Sequence, residues 1–312
     1  MSIAFLFPGQ GSQRPGMLRA LPDHPQVQAT LEEAGEVLKR DVRQLDEEKT
    51  LESTITTQIA IFIAGIASAR ALIAEGVGPD FVAGLSVGAY TAAVIGGALG
   101  FSDGLRLVRK RAELTAERFP SGYGLAAIVG LQEQTVAKLV VSCTTPEHPA
   151  YLALLNAPQQ MVVAGSIEAL DRVLAEARKA GCKKAERLAV RIPSHCALFE
   201  DVAQQMMEAM RSLEPRAPQA TYVMNRTARP TKHFDRIRED VATNIAYPVR
   251  WHDSTEVLVE MGAQLFIEMH PGQVLTRLAS AGFPQVRTIA LEASSLAQTV
   301  RIAKAARRSA ID

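Results

Sequence analysis

The sequence predicts an α/β fold: a mostly parallel sheet covered by helices on both faces, with a smaller domain inserted into it. Three observations lead there. Short apolar runs alternate with segments of helical period along most of the chain. The first run stops at Pro8-Gly9, and helical segments close at Gly76 and Gly181, which are ordinary punctuation for buried strands and helices. Between residues 123 and 190 the order of elements changes. The expected division is therefore a large domain of 1–122 and 191–312 and a small domain of 123–190.

In chain order, "IAFLF" (Ile3 to Phe7) is a buried strand ending in a tight loop. Val27, Leu31, Ala34 and Leu38 recur at helical spacing. A long helix is expected from Thr56 to Glu75. "FVAGLS" is a strand that runs into a turn at Ser86, with a helix from there to about Leu99. Ser102 then caps a helix that reaches Phe119. In the small domain, "LAAIVG" is a strand and "EQTVAKLVVS" a helix. "YLALLNAPQQMVVAGS" reads as two strands joined at Asn156-Ala157-Pro158. "IEALDRVLAEARKAG" is a helix and "AERLAV" a strand. That β-α-β-β-α-β order is ferredoxin-like. After Pro193 the alternation resumes, with helices over 197–212, 236–245, 253–261 and 273–281 and strands at "TYVMN", "QLFIEM" and "VRTIAL". There are no internal repeats or low-complexity tracts.

Composition narrows the class. At 312 residues the chain can bury a large core, and 47% apolar with 21% charged residues is ordinary for a globular protein. A net charge of +1 argues against a dedicated nucleic-acid binder. Three separated cysteines, Cys143, Cys182 and Cys196, form no CxxC pair; they fit free thiols in a reducing, cytoplasmic compartment and give no metal framework. No secretory leader is read at the N-terminus. The apolar stretch from Ile59 to Ile73 is broken by Gly65, Ser68 and Arg70, so a buried helix is expected rather than a membrane span.

The chemistry centres on "GLSVGAY", Gly84 to Tyr90. G-x-S-x-G arises by chance in roughly one chain in ten of this length, so the motif alone is weak. A strand before it and a helix after it are the context of a nucleophile elbow, which lifts the serine hydroxyl to a helix N-terminus. The N–H of Val87 then faces the same space and can stabilise an oxyanion. The competing reading is a tight turn whose glycines serve packing. A nucleophilic serine needs a base, and six histidines are available. His24, His148 and His233 read as surface loop, whereas His252 and His270 flank apolar segments. His195, in "RIPSHCALFE", lies where a strand end meets a helix start and is the best placed of the six. "FPGQGSQ" lacks the GK[ST] of a phosphate loop; a loop lending an N–H to an oxyanion hole suits it better. Leu107, Arg111 and Leu114 share one helix face. Arg111 either snorkels or aims at a buried anion, and periodicity favours snorkelling.

Taken together, "FLFPGQGSQ", the Ser86 elbow, "VRKRAEL", "NAPQQMVVAG", "IPSHCAL", "YPVRW" and "HPGQVL" resemble, in order and spacing, the malonyl-CoA:acyl carrier protein acyltransferases. The resemblance covers nearly the whole chain. It implies an α/β-hydrolase-like large domain with a ferredoxin-like insert. It implies Ser86 as the acylated nucleophile and His195 as its base. The N–H groups of Gln10 and Val87 would form the oxyanion hole, and Arg111 would grip the malonate carboxylate. Asn244 would orient His195 through its main-chain carbonyl, and Asn156 would lie near the site. No bound cofactor is implied; malonyl-CoA is substrate, and the acceptor is a carrier protein with a CoA-derived arm. Where family members of fatty-acid synthesis read GHSxGE, this chain has Leu85 and Ala89. In that respect it is similar to the epsilon subunit of malonate decarboxylase, which implies that enzyme's carrier subunit as the partner. Malonyl transfer to a carrier of fatty-acid or polyketide synthesis is the alternative. From other classes, a serine thioesterase or esterase and a non-catalytic scaffold remain.

Overall fold

A computed structural model describes residues 2–119 and 121–308. The elements in chain order are β1 (Ser2–Phe7), α1 (Pro25–Leu38), α2 (Thr54–Ala74), β2 (Phe81–Gly84), α3 (Gly88–Ile95), α4 (Phe101–Arg118), β3 (Tyr123–Val129), α5 (Glu133–Cys143), β4 (Ala150–Ala157), β5 (Gln160–Ser166), α6 (Ile167–Lys179) and β6 (Lys184–Arg187). There follow α7 (Glu200–Ala209), β7 (Thr221–Val223), β8 (Pro230–Thr231), α8 (Phe234–Thr243), α9 (Trp251–Glu260), β9 (Ala263–Glu268), α10 (Val274–Gly282), β10 (Arg287–Ala290) and α11 (Leu296–Arg308), with single 3-10 turns between some of them. The chain forms two compact units: Met1–Ala112 with Ser212–Val241 and Ser254–Asp312, and Glu113–Arg211 with Ala242–Asp253.

The first unit is built on a six-stranded sheet in the order β10-β9-β1-β2-β7-β8. All its pairings are parallel except β7 with β8. β1 lies inside the sheet, and Ile3 to Phe7 have no exposed surface, which is why the strand reads as an unbroken apolar run. Phe7, its last residue, pairs with Gly84 at the end of β2. This register brings the loop after β1 and the turn after β2 to the same edge, at the carboxyl ends of the strands, where α/β sheets carry their ligands.

α2 runs longer than its apolar stretch. It is the one helix among the described residues with the length and composition to cross a membrane, and 83% of that window is buried inside the protein. Its lone charge, Arg70, pairs with Glu33 of α1 at 2.7 Å. His24 differs from the surface-loop expectation: it caps α1, its Nδ1 accepting the Gln26 N–H at 3.1 Å. The helix α11 has no counterpart in the sequence reading. Its signal was present, because Ser295 and Gln298 have capping-box spacing and the Ser295 hydroxyl accepts the Gln298 N–H at 3.2 Å.

The second unit has the expected β-α-β-β-α-β order, from β3 to β6. Its four strands are antiparallel in the order β4-β5-β3-β6. α5 and α6 pack on the sheet through Val136, Val140, Leu170 and Val173. The Ser166 hydroxyl caps α6 by accepting the Ala169 N–H at 3.2 Å. The strand junction differs from expectation. β4 continues through Asn156 and Ala157, and the turn is Pro158-Gln159, since proline has no N–H to give the ladder. The unit also reaches beyond 123–190. Leu155 N–H donates to the Val249 carbonyl and Val249 N–H to that of Ala153, both at 2.9 Å, which adds the 242–253 segment to the edge of the sheet at β4.

Candidate active site

The turn between β2 and α3 is the sharpest feature of the first unit. Ser86 has a φ of 58°, a left-handed conformation that costs a non-glycine residue about 1–3 kcal/mol. Backbone crowding explains the flanking glycines. A Cβ on Gly84 would lie 2.0 Å from the Gly88 carbonyl oxygen, and one on Gly88 would lie 2.2 Å from that of Phe7. The turn is tied to β1 by the Leu85 N–H, which donates to the Phe7 carbonyl at 2.9 Å. Val87 is the N-cap of α3, so its N–H belongs to the entry donors that the helix cannot satisfy, where the macrodipole is positive. Ala89 is fully buried, and the first turn of α3 holds no acid.

Arg111 reaches this turn from α4. One terminal nitrogen donates to Ser86 Oγ at 3.1 Å and the other to Gln58 Oε1 of α2 at 2.6 Å. The residue is 2% exposed, so the snorkelling favoured by periodicity is not what occurs. Snorkelling needs a route to water, and here α2 and the elbow enclose the head group. Its Nε is buried without a partner, and no carboxylate lies within ion-pair distance of it among the described residues. Burial lowers its pKa, while the ionisable Tyr90 hydroxyl acts in the opposite sense; the Tyr90 ring centroid lies 6.0 Å from the guanidinium. Burial in turn pushes the Tyr90 hydroxyl well above its ordinary range.

The loop after β1 passes directly against the elbow, since a Cβ on Gly9 would lie 2.6 Å from the Leu85 carbonyl oxygen. It is held by its own side chains. Ser12 Oγ donates to the Gly9 carbonyl at 2.7 Å and Gly11 N–H to Gln13 Oε1 at 2.6 Å. The Gln10 side-chain amide oxygen accepts from Thr54 Oγ1 at 2.9 Å, which ties the Gln10 side chain to the start of α2.

In the second unit, His195 is 2% exposed and also left-handed, with a φ of 68°. Its N–H donates to the Ile245 carbonyl at 2.7 Å, and its Nδ1 lies 2.8 Å from the Asn244 carbonyl oxygen. A carbonyl only accepts, so Nδ1 carries the proton and Nε2 is left as the basic nitrogen. The adjacent Cys196 is no rival nucleophile. Burial pushes its thiol up to about 12, and it donates to the Pro193 carbonyl. Asn156 sits near the end of β4, one residue beyond the Leu155–Val249 hydrogen bond, and its Oδ1 is buried without a partner.

The structure thus brings Ser86, Arg111 and the Gln10 loop together in one unit, and His195 and Asn244 together in the other. The other histidines have separate settings. His148 lies 3.6 Å from Glu168, His233 is exposed, His252 is on α9, and burial lowers the pKa of His270 to about 4. Two residues about the elbow were missed. Gln58 follows Thr56 and Thr57 at the head of an apolar run, so nothing local sets it apart. Asn225 follows β7, at another strand's carboxyl end. No group of three or more His, Cys, Asp or Glu side chains that could hold a metal occurs among the described residues.

The acyl transferase domain family matches residues 4–305, almost the full length. The chain belongs to that family. It is 35% identical to the malonyl-CoA:acyl carrier protein transacylase of Escherichia coli K12, over 88% of this chain and 91% of the relative. With the transacylase of Bacillus subtilis it shares 33% identity over 93% of each. Among solved structures, the transacylase of Xanthomonas oryzae superposes with a TM-score of 0.90 at 35% identity, over 98% of this chain and 99% of that one. A malonyl-transacylase in complex with a type II polyketide-synthase acyl carrier protein gives a TM-score of 0.89 at 32% identity, over 94% and 96%. Acyltransferases of this family therefore share the mixed α/β architecture, with a parallel-rich sheet and a separate antiparallel sheet.

Proposed function

We propose that this acyltransferase moves the malonyl group of malonyl-CoA, through an ester on Ser86, to the thiol of an acyl carrier protein. The observation that carries the reading is Arg111: a buried guanidinium with no acidic partner among the described residues, donating to the hydroxyl of the elbow serine. Buried charges are as a rule paired, so a carboxylate on the acyl group is the missing anion. The names of the relatives support the same substrate.

In this reading the Ser86 hydroxyl gives its proton to Nε2 of His195 as Oγ attacks the thioester carbonyl. The oxyanion is held by the N–H groups of Gln10 and Val87. The C–S bond breaks, the CoA sulfur takes the proton from His195, and malonyl-serine remains. The carrier thiol then attacks, its proton passing to His195, and the serine leaves with that proton. Asn244 holds the His195 tautomer through its carbonyl, and Asn156 borders the same region. The unpaired cysteines support a cytoplasmic location as part of the reading.

The relatives' names favour a carrier of fatty-acid or polyketide synthesis. Leu85 and Ala89 favour a second reading, the carrier subunit of malonate decarboxylase. Ala89 is fully buried and leaves the first turn of α3 without an acid, which raises the local positive potential slightly. Incubation with radiolabelled malonyl-CoA tests the chemistry: label held on Ser86 is expected, whereas release of free malonate alone would make the protein a hydrolase. Rates on the two carriers, measured side by side, decide the acceptor.

A further inference from the structure

We propose that Asn225 is a positioning residue for the nucleophile, holding the Ser86 turn in its reactive conformation through both ends of its amide. The Ser86 N–H donates to Asn225 Oδ1 at 3.0 Å, and Asn225 Nδ2 donates to the Gly84 carbonyl at 2.7 Å. The orientation is unique, because an N–H only donates and a carbonyl only accepts. One side chain therefore closes a bridge over the two residues that enter the left-handed turn.

The bridge is itself anchored. Asn225 is 3% exposed, and its own N–H donates to Asp240 Oδ2 at 2.9 Å. The same carboxylate accepts the Tyr222 hydroxyl at 2.7 Å and, on Oδ1, the Arg226 N–H at 3.1 Å. Asn225 is thus fixed from β7 and α8, not from the elbow. The consequence for reactivity is geometric. The peptide between Leu85 and Ser86 is clamped, so the Ser86 Oγ and the following Val87 N–H leave the turn in fixed directions. Arg111 contacts the Oγ from α4 and has no part in the bridge. Loss of Asn225 leaves a strained turn with a donor and an acceptor unmet, and the turn relaxes by moving Oγ. A displacement of about 1 Å costs on the order of 10²-fold in rate.

The inference rests on the proposed acylation of Ser86 but not on the identity of the acyl group. The test is rapid-mix labelling of the whole chain, as wild type, Asn225→Ala and Asn225→Asp. Two reagents are used, radiolabelled malonyl-CoA and a fluorophosphonate, on which the Oγ–P bond forms as fluoride leaves and the hydroxyl proton passes to the base. For Asn225→Ala the expected result is a full burst, one label per folded chain, with the rate constant lower by roughly 10²-fold for both reagents. KM for malonyl-CoA should hardly move, because Arg111 is untouched. Asn225→Asp keeps the acceptor and loses the donor, and should fall between. A smaller burst at an unchanged rate constant would mean a merely structural residue and overturn the proposal, as would no change in either quantity. If Asn225→Ala does not fold, the nearly isosteric Asn225→Asp decides by the same two quantities. Wild type that reacts with the fluorophosphonate and not with malonyl-CoA would sink the malonyl reading, and the fluorophosphonate rates would still judge Asn225.

Discussion

Ser86 and His195 both hold a left-handed backbone that side-chain-bearing residues avoid, at φ of 58° and 68°, yet the two turns are built in opposite ways. The Ser86 turn is set by residue type: two glycines beside it, each at a place where a Cβ would strike backbone, and one asparagine side chain 139 residues further on. The His195 turn is set by main chain. Its N–H and its ring both bind carbonyls of Ile245 and Asn244, 49 residues or more further on. A constraint carried by the type of a neighbouring residue, as at Gly84 and Gly88, leaves a mark in the sequence. A constraint carried by carbonyl groups leaves none, since every residue has one.

The comparison can be broken by substitution, and the largest effect belongs to Ser86. Ser86→Ala should abolish covalent labelling by malonyl-CoA with the fold intact by circular dichroism; any label that survives removes Ser86 as nucleophile. His195→Ala should lower acyl transfer by about 10²–10⁴-fold, as loss of a positioned base does. An equal loss in His270→Ala would remove His195 as the base. Arg111→Ala should cost malonyl transfer about 2–5 kcal/mol, roughly 30- to several-thousand-fold. Activity toward acetyl-CoA should be spared, and Arg111→Lys should recover only part, since an ammonium cannot form the two-pronged contact. An unchanged malonyl/acetyl ratio in kcat/KM leaves Arg111 without a role in specificity.

Two smaller effects sharpen the contrast. Burial holds His270 at a pKa of about 4 against an ordinary 6.5. Unfolding therefore takes up a proton between those values. The corresponding stability is fully present above pH 6.5 and is lost as the pH falls towards 4, by about 3 kcal/mol at most. Denaturant midpoints should fall over that window in the wild type and flatten in His270→Gln. The smallest effect is expected from Asn244→Ala. Its carbonyl remains in place, so kcat should fall by less than about tenfold. A loss as large as that of His195→Ala would show that the Asn244 side chain, not its main chain, governs the histidine.

The same distinction marks what was legible beforehand. β1, β2 and the elbow are local patterns, an apolar run, a glycine stop and a serine between glycines, and they stood in the sequence. So did the four-strand, two-helix order of the second unit. His195 could be ranked first of six histidines only by its loop, because what fixes its ring is a carbonyl 49 residues away. For Arg111 periodicity alone favours snorkelling, because spacing gives the helix face, and only packing against Gln58 and Ser86 shows that the face is closed to water. Asn225 and Asp240 were invisible, since each acts through a partner distant in sequence. The 242–253 segment joined the second unit for a similar reason, through two main-chain hydrogen bonds to β4.

The placement of β1 has a consequence for how the protein is made. One of the two neighbours of this strand is β9, where Leu265 pairs with Ile3, so the partner is synthesised 262 residues after it. A ribosome adding roughly 5–20 residues per second leaves on the order of ten to fifty seconds between them. For that interval one edge of a fully apolar strand is an open template for any other strand in reach. The four strands of the second sheet have no such delay among themselves, because they lie within Tyr123–Arg187, and only the β4 edge waits for Val249. Nascent chains halted before Ala263 should therefore be captured by chaperones or aggregate through β1, and those halted after Glu268 should not.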